Sequence, residues 1–552
     1  MSSHFRWYPA ESEVVVPWNA RYSFPSQANK AIKMTPRIPP KNAQQFSPGN
    51  VIRLEFPAQG YVNPGKTTLE FDVTIDYTPA ATEKVNIRFQ NNIQSLFSRV
   101  RLLYGSTPLE DIPNYNVIVR ALTEWTGSDA LGPDQTSITD GIGGVNPSYS
   151  GAVLKQAADG AGTGVAIMAN VRQKYIHGID TRGGPLDDNT GISGFGSVPN
   201  GTQPSGYGGT PAFIKTNPIR RYQVQLALGM LTQEKLIPTK FMASQLAIEI
   251  TLAQPNECMI YRTSLDPKGN PTYQITNVNL IPEILEFDAS YDESFLRGLQ
   301  NGGVPIKFAT WNNFRFTAND SSTFNLQIQE RSRSVKAIFA LNRRQNGSYE
   351  DDNGASFFTT TKAAGPVTLQ DFQFRIGGRY FPAAPVQSST GTANDTCSGG
   401  AEAYVELAKA LNTLGATTLS SSTATHKWAM PPSAGSFDPA TVCNIFPEQD
   451  YKFGLIGYRA GGQPVVKAIE DTTHSGSGDL PSCCFGIATD LETSNGLEIS
   501  GLNAEEQSDI SLLVRYSATQ VPAVDVSMGF DVFTYIDTMI VLRENNVLEL
   551  IQ

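Results

Sequence analysis

Apolar and polar residues alternate through much of the chain. In TTLEFDVTIDY, Leu69, Phe71, Val73, Ile75 and Tyr77 fall on one side, and Glu70, Asp72, Thr74 and Asp76 on the other. Successive side chains of an extended strand point to opposite faces, so this run predicts a half-buried strand. The same period recurs at Leu246, Ile248, Ile250 and Leu252, at Phe324, Leu326 and Ile328, and at Ile510, Leu512, Val514 and Tyr516. Turn signals punctuate the strands: Asn63-Pro64-Gly65, Asn301-Gly302, Asn346-Gly347 and Asn353-Gly354. One-sided alternation predicts antiparallel sheets packed as sandwiches rather than parallel sheets covered by helices.

Two segments read clearly as helices. Tyr115, Ile118, Val119 and Leu122 recur at helical spacing, as do Tyr404, Leu407, Ala408 and Leu411, with Gly415 placed to stop the second helix. Each follows a strand that ends in glycine, FSRVRLLYG with Gly105 and LQDFQFRIGG with Gly377. These glycines lie 272 positions apart (377 − 105), and the late strands at Leu246 and Ile510 lie 264 apart (510 − 246), close to half of 552. The order strand, glycine turn, helix, late strand thus occurs twice, which predicts a duplicated β-domain.

YDESFLRGLQNGGVP reads as a short helical turn and then a linker, with Gly302, Gly303 and Pro305 at the boundary. Nineteen of the residues from Gly127 to Gly209 are glycine, which predicts a long loop insertion in the first half. A lesser Ser/Thr/Ala-rich insertion, about 387–432, holds the second helix. The first 45 residues are aperiodic and slightly basic, with Arg6, Arg21, Lys30, Lys33, Arg37 and Lys41 against Glu11 and Glu13, and read as an extended arm outside the barrels. The expected organisation is an arm over 1–45, a first barrel over 46–300 with its insertion at about 127–215, and a second barrel over 301–552.

Composition narrows the function. With hydrophobics at 40% and aromatics at 10%, there is enough apolar surface for large cores, which excludes disorder. The net charge of −10 argues against wholesale wrapping of nucleic acid. The opening MSSHFRWYPAESEVVVPW lacks a basic segment followed by an apolar one, so a signal peptide is not expected, and no apolar run is long enough for a membrane helix. Cys258, Cys397, Cys443, Cys483 and Cys484 are too thinly spread for a disulfide framework and read as buried thiols.

Catalytic signals are poor. His4, His177, His426 and His474 are far apart, with no second histidine at metal spacing, and no GxSxG elbow raises the case for a triad. The glycines Gly141, Gly143 and Gly144 do not sit between a strand and a helix, as a phosphate cradle requires. Asp187-Asp188 and Glu350-Asp351-Asp352-Asn353 could hold calcium, but solvated turns are the plainer reading. Arg331, Arg333, Arg343 and Arg344 read as ordinary surface charge. No catalytic, cofactor-binding or metal-binding residue is therefore nominated, and no enzyme activity or cofactor is expected.

The order of segments resembles that of double jelly-roll major capsid proteins. IRFQNNIQSLFSRVRLLYGSTPLEDI with the YNVIVRALTEW helix is similar to the D strand and adjoining helix of that family's first jelly roll, and LEFDVTI to the preceding C strand. LALGMLTQEKLIPTKFMASQLAIEITLA resembles the E–F region, and ITNVNLIPEILEFD the strand that closes the first barrel. SVKAIFALNRR, LQDFQFRIGGRYF and FGIATDLETSNGLEISGLNAEEQSDISLLVRYS follow in the expected order in the second half. The style is closest to virophage, polinton-like virus and large eukaryotic DNA virus capsid proteins.

This resemblance implies an all-β chain of two tandem eight-stranded antiparallel jelly-roll sandwiches, with short helices and the insertion in the first D–E connection. It implies a major capsid protein that forms a pseudo-hexameric homotrimer and tiles an icosahedral virion shell assembled inside the host cell. Implied partners are neighbouring capsomers, penton and minor or cement proteins, and an internal membrane as an option, with no sequence-specific nucleic-acid contact. The alternatives are a tandem β-sandwich lectin or adhesin, for which Tyr207 and Trp428 are the loop aromatics, and a β-sandwich carbohydrate hydrolase with paired carboxylates, for which no pair stands out.

Overall fold

A computed structural model describes the protein from residue 31 to residue 551 apart from internal stretches, the longer of which are 127–151, 181–218, 345–360, 388–400, 414–453, 469–483, 490–500 and 517–527. In the first half, β1 (Ala31–Met34), β2 (Val51–Glu55), β3 (Tyr61–Asp76), β4 (Phe97–Tyr104), β5 (Thr107–Pro113), β6 (Ile219–Val224), β7 (Leu246–Leu252) and β8 (Thr272–Phe287) follow one another. They pair antiparallel in the orders β1-β8-β3-β6 and β2-β7-β4-β5.

The second half supplies β9 (Val304–Ala318), β10 (Thr323–Ile328), β11 (Val335–Arg344), β12 (Leu369–Ile376), β13 (Arg379–Gln387), β14 (Cys484–Ala488), β15 (Ile510–Tyr516) and β16 (Met528–Leu542). Their orders are β9-β16-β11-β14 and β10-β15-β12-β13, again antiparallel. Each is the first-half order with eight added to every number. Lettered B to I along the chain, both halves are a BIDG sheet packed on a CHEF sheet. The protein is a double jelly roll.

The lettering moves four expectations, one of them LALGMLTQEKLIPTKFMASQLAIEITLA, which runs from the end of strand G through strand H rather than through E–F. LEFDVTI lies in the D strand, not C, and FSRVRLLY is E, not D. Gly105, at φ +61°, turns the E–F hairpin, and Gly377 and Gly378, at φ +54° and +82°, turn its second-half counterpart. Both insertions therefore leave after strand F, so the first lies between F and G rather than D and E. The expectation failed because β1 is only four residues long and carries no alternation, so lettering from the sequence began one strand late.

The sandwich interiors are filled as the alternation predicts. Leu69, Phe71, Val73 and Ile75 are buried, as are Leu246, Ile248, Ile250 and Leu252, and Phe324, Leu326 and Ile328. Rings meet across each sandwich: Phe71 lies 5.5 Å from Phe97, and Phe324 5.3 Å from Phe530. The other face of β3 departs from expectation, because Glu70 and Asp72 are buried too. Arg37 donates to Glu70 at 3.2 Å, and Arg221 grips Asp72 with two bonds of 2.7 and 2.9 Å. That guanidinium holds the Asp72 carboxyl below its usual range.

The stretch from residue 31 is thus part of the first barrel. β1 lies along β8, Ile38 exchanges two 2.9 Å backbone bonds with Leu280, and Gln45–Phe46 pairs with Ile275 and Thr276. The arm expected over 1–45 is laid on the sheet from Ala31 onward.

Helices α1 (Tyr115–Thr126) and α3 (Ala401–Asn412) each follow an F strand, and α2 (Ala289–Gln300) joins the halves. Tyr115, Ile118 and Val119 of α1, and Leu407, Ala408 and Leu411 of α3, are buried, as predicted, while Leu122 is half-buried. Two pieces of the glycine-rich insertion, Ala152–Ala158 and Gly164–Asn170, form a hairpin. Gly454–Tyr458 of the second half, beyond the 387–432 insertion, pairs with Gly164–Asn170 on one side and Pro464–Ala468 on the other, giving one four-stranded sheet drawn from both halves.

Leu411 is fully buried between its helix and the sheet, so Leu411→Ala should cost about 2–5 kcal/mol, read by chemical denaturation. Leu122→Ala should cost less, because part of that side chain is already in water.

Candidate assembly surface

No group of three His, Cys, Asp or Glu is gathered for a metal among the described residues. His4, His177, His426, His474, Asp187, Asp188, Glu350, Asp351, Asp352, Tyr207, Trp428 and the glycines at 141–144 lie outside the described residues. Cys258 is buried and free, as expected, and burial pushes its thiol well above the usual range. Arg333 is exposed and pairs with Glu505 at 2.9 Å, the surface role foreseen for it.

The polar groups that are gathered sit where the barrels meet. Strand β5 and a short turn, Gly229–Thr232, pack against β9. Glu110 of β5 is fully buried there. Its carboxylate accepts the backbone N–H of Gly229 at 2.8 Å, the N–H of Met230 at 2.7 Å and the hydroxyl of Thr310 at 3.0 Å. One side chain therefore ties the F edge of barrel one, the chain entering strand H, and the B strand of barrel two.

Contact at this seam is close enough to demand glycine. A Cβ at Gly229 would stand 1.8 Å from the carbonyl oxygen of Ala309. A second tie follows at the end of β5. Asn114 takes a left-handed φ of +52°, a conformation Asn tolerates better than most residues, and its amide donates to the Asn313 side-chain oxygen at 2.8 Å. Beside it, the rings of Trp311 and Tyr535 lie 4.6 Å apart, tilted by 40°. The seam thus has an apolar wall and two side-chain hydrogen-bond ties, and β5 and β9 meet with no ladder bonds between them.

Removal of the Glu110 carboxyl from water raises its pKa to about 7, against the pull of its N–H donors toward the ionised form. Sequence reading passed over Glu110 because TPLEDIP looks like an exposed hairpin arm. Its partners lie about 120 and 200 residues away, at Met230 and Thr310. The only local hint was an acid inside a strand flanked by Leu109 and Ile112, both buried.

No known protein family matches the sequence, and no curated protein does. Solved structures resemble the chain at low identity. The chain is similar to the PBCV-1 virus capsid protein (8% identity, 96% of this chain and 98% of that one, TM-score 0.49). It is similar to the Faustovirus major capsid protein (10% identity, 94% and 92%, TM-score 0.46) and to the mavirus major capsid protein (9% identity, 98% and 96%, TM-score 0.45).

Two outcomes check the seam of this double jelly roll. Glu110 holds its proton up to about pH 7 when folded, whereas a solvated glutamate releases it near 4.5. Folded chains then bind more protons than unfolded ones between those values, so this group's contribution falls as pH rises from about 4.5 to 7 and is flat above. Denaturation across that range should show the wild type losing stability relative to Glu110→Gln, by a few kcal/mol at most. Gly229→Ala should destabilise by about 1–3 kcal/mol or more through overpacking, measured the same way.

Proposed function

We propose that this protein is a structural shell subunit, a major capsid protein whose copies tile a virion. The observation that carries the reading is the seam: two barrels of identical strand order stand side by side, the F edge of the first against the B strand of the second. Two similar barrels make a block with two similar flanks. Three blocks around a threefold axis present six barrels, an outline close to hexagonal that packs a surface without gaps. Closed cyclic symmetry satisfies such head-to-tail contacts, where open stacking would give fibres. The sequence resemblance to double jelly-roll capsid proteins points the same way. Neighbouring trimers, pentons and minor shell proteins are the partners that follow, with the virion as the location.

Sedimentation or native mass spectrometry should find about three times 59.9 kDa and no stable monomer at micromolar concentration. Images of the purified protein should show hexagonal outlines. A folded monomer that fails to associate under any salt or pH condition would sink the capsid reading and return a tandem sandwich adhesin to first place.

A further inference from the structure

Strand order repeats between the halves, but burial at the barrel edges does not. In barrel one, the F strand is covered: it packs against the B strand of barrel two, its Glu110 buried against Thr310, with Leu109 and Ile112 also buried. Its counterpart β13, RYFPAAPVQ, is open along nearly its whole length, with Tyr380 57% and Phe381 44% exposed. The receiving strand shows the reverse. In barrel two, β9 is buried at Ile306, Phe308, Thr310 and Trp311, whereas the B edge of barrel one, from Ala31 to Pro39, stands largely exposed. Each half thus keeps one open edge, and the two open edges are those whose counterparts meet within the chain.

The apolar surface falls in the same two places. Among the described residues, seven large hydrophobics are exposed, and five of them lie at these edges. Ile32 and Val51 are on the B and C strands of barrel one, while Tyr380, Phe381 and Val405 are on the F strand of barrel two and the helix that follows it. Isolated exposed apolar residues need no explanation, but their gathering on two matching edges does. The F edges also carry paired prolines, Pro108 and Pro113 in one and Pro382 and Pro385 in the other. Proline has no N–H to donate, so both edges are unsuited to growth by ladder bonding and suited to packing by side chains.

We propose that the F edge of barrel two, centred on Tyr380 and Phe381, docks on the B and C edge of barrel one, at Ile32 and Val51, of a second copy of this chain, repeating between chains the seam found within each. This rests on the trimer reading above and names the surfaces that would make it. The contact is head-to-tail: one copy's plug enters the next copy's seat, and three copies close the ring.

The experiment uses two full-length variants. Tyr380→Glu with Val405→Glu spoils the plug, and Ile32→Glu with Val51→Glu spoils the seat. All four positions are exposed, so each variant should remain folded, with a far-ultraviolet circular dichroism spectrum like the wild type's. Each variant alone should run as a monomer of 59.9 kDa, at least tenfold weaker in self-association than the wild type. Mixed in equal amounts, they should form a heterodimer of twice that mass, because one intact plug then meets one intact seat and the dimer's two outer ends are both spoiled. If the wild type is trimeric and either variant remains trimeric, the edges named here are wrong while the trimer stands. Two monomeric variants that fail to pair on mixing would also overturn the head-to-tail contact. A monomeric wild type would instead remove the trimer reading itself.

Discussion

An open β-sheet ends in two strands whose outer backbone groups have no ladder partner, and each jelly roll here has two sheets and so two flanks of such strands. The rest of the architecture is organised around those flanks. One is covered by the neighbouring barrel, prolines interrupt others, and the chain before β2 is laid along β8 as the outermost strand of its sheet. Gly229 matters for the same reason. It lets the backbone of barrel one come against the Ala309 carbonyl, so the covered flank is closed by direct contact.

Polar groups at that contact decide which flank meets which. An apolar seam alone would tolerate sliding, since dispersion contacts are not directional. Glu110 removes that freedom, because its acceptors must face two particular N–H groups and one hydroxyl. Leaving any of them unmade would strand a buried polar group at a cost of about 1–3 kcal/mol. Asn114 adds a second fixed point with Asn313. The register of the two barrels is thus set by hydrogen bonds and filled in by rings such as Trp311 and Tyr535.

Much of this fold was legible in the sequence because alternation is a local property. The buried sides of β3, β7, β10 and β15, the helices α1 and α3, and the near half-length repeat all follow from residues within a few positions of each other. What escaped reading depends on distant partners. Glu70 and Asp72 look solvent-facing until Arg37 and Arg221 are brought over them. β1 is invisible because AIKM has no pattern, and its identity comes only from Phe287 to Ile284 lying opposite. The seam itself could not be read, since nothing near Glu110 announces Gly229 or Thr310.

The place of each final strand has a consequence for how the chain becomes ordered. β8 does not sit at the margin of its sheet but between β1 and β3, and β16 lies between β9 and β11. Each of these two sheets therefore has a gap at its centre until its last-made strand arrives, more than 200 residues after its first. Pairings of that span are slow to find, because the loop they close costs entropy before any contact repays it. On the ribosome, barrel one becomes completable once Phe287 has emerged, while barrel two waits for Leu542. In that interval the finished first barrel is the template against which the B strand of the second can be laid down.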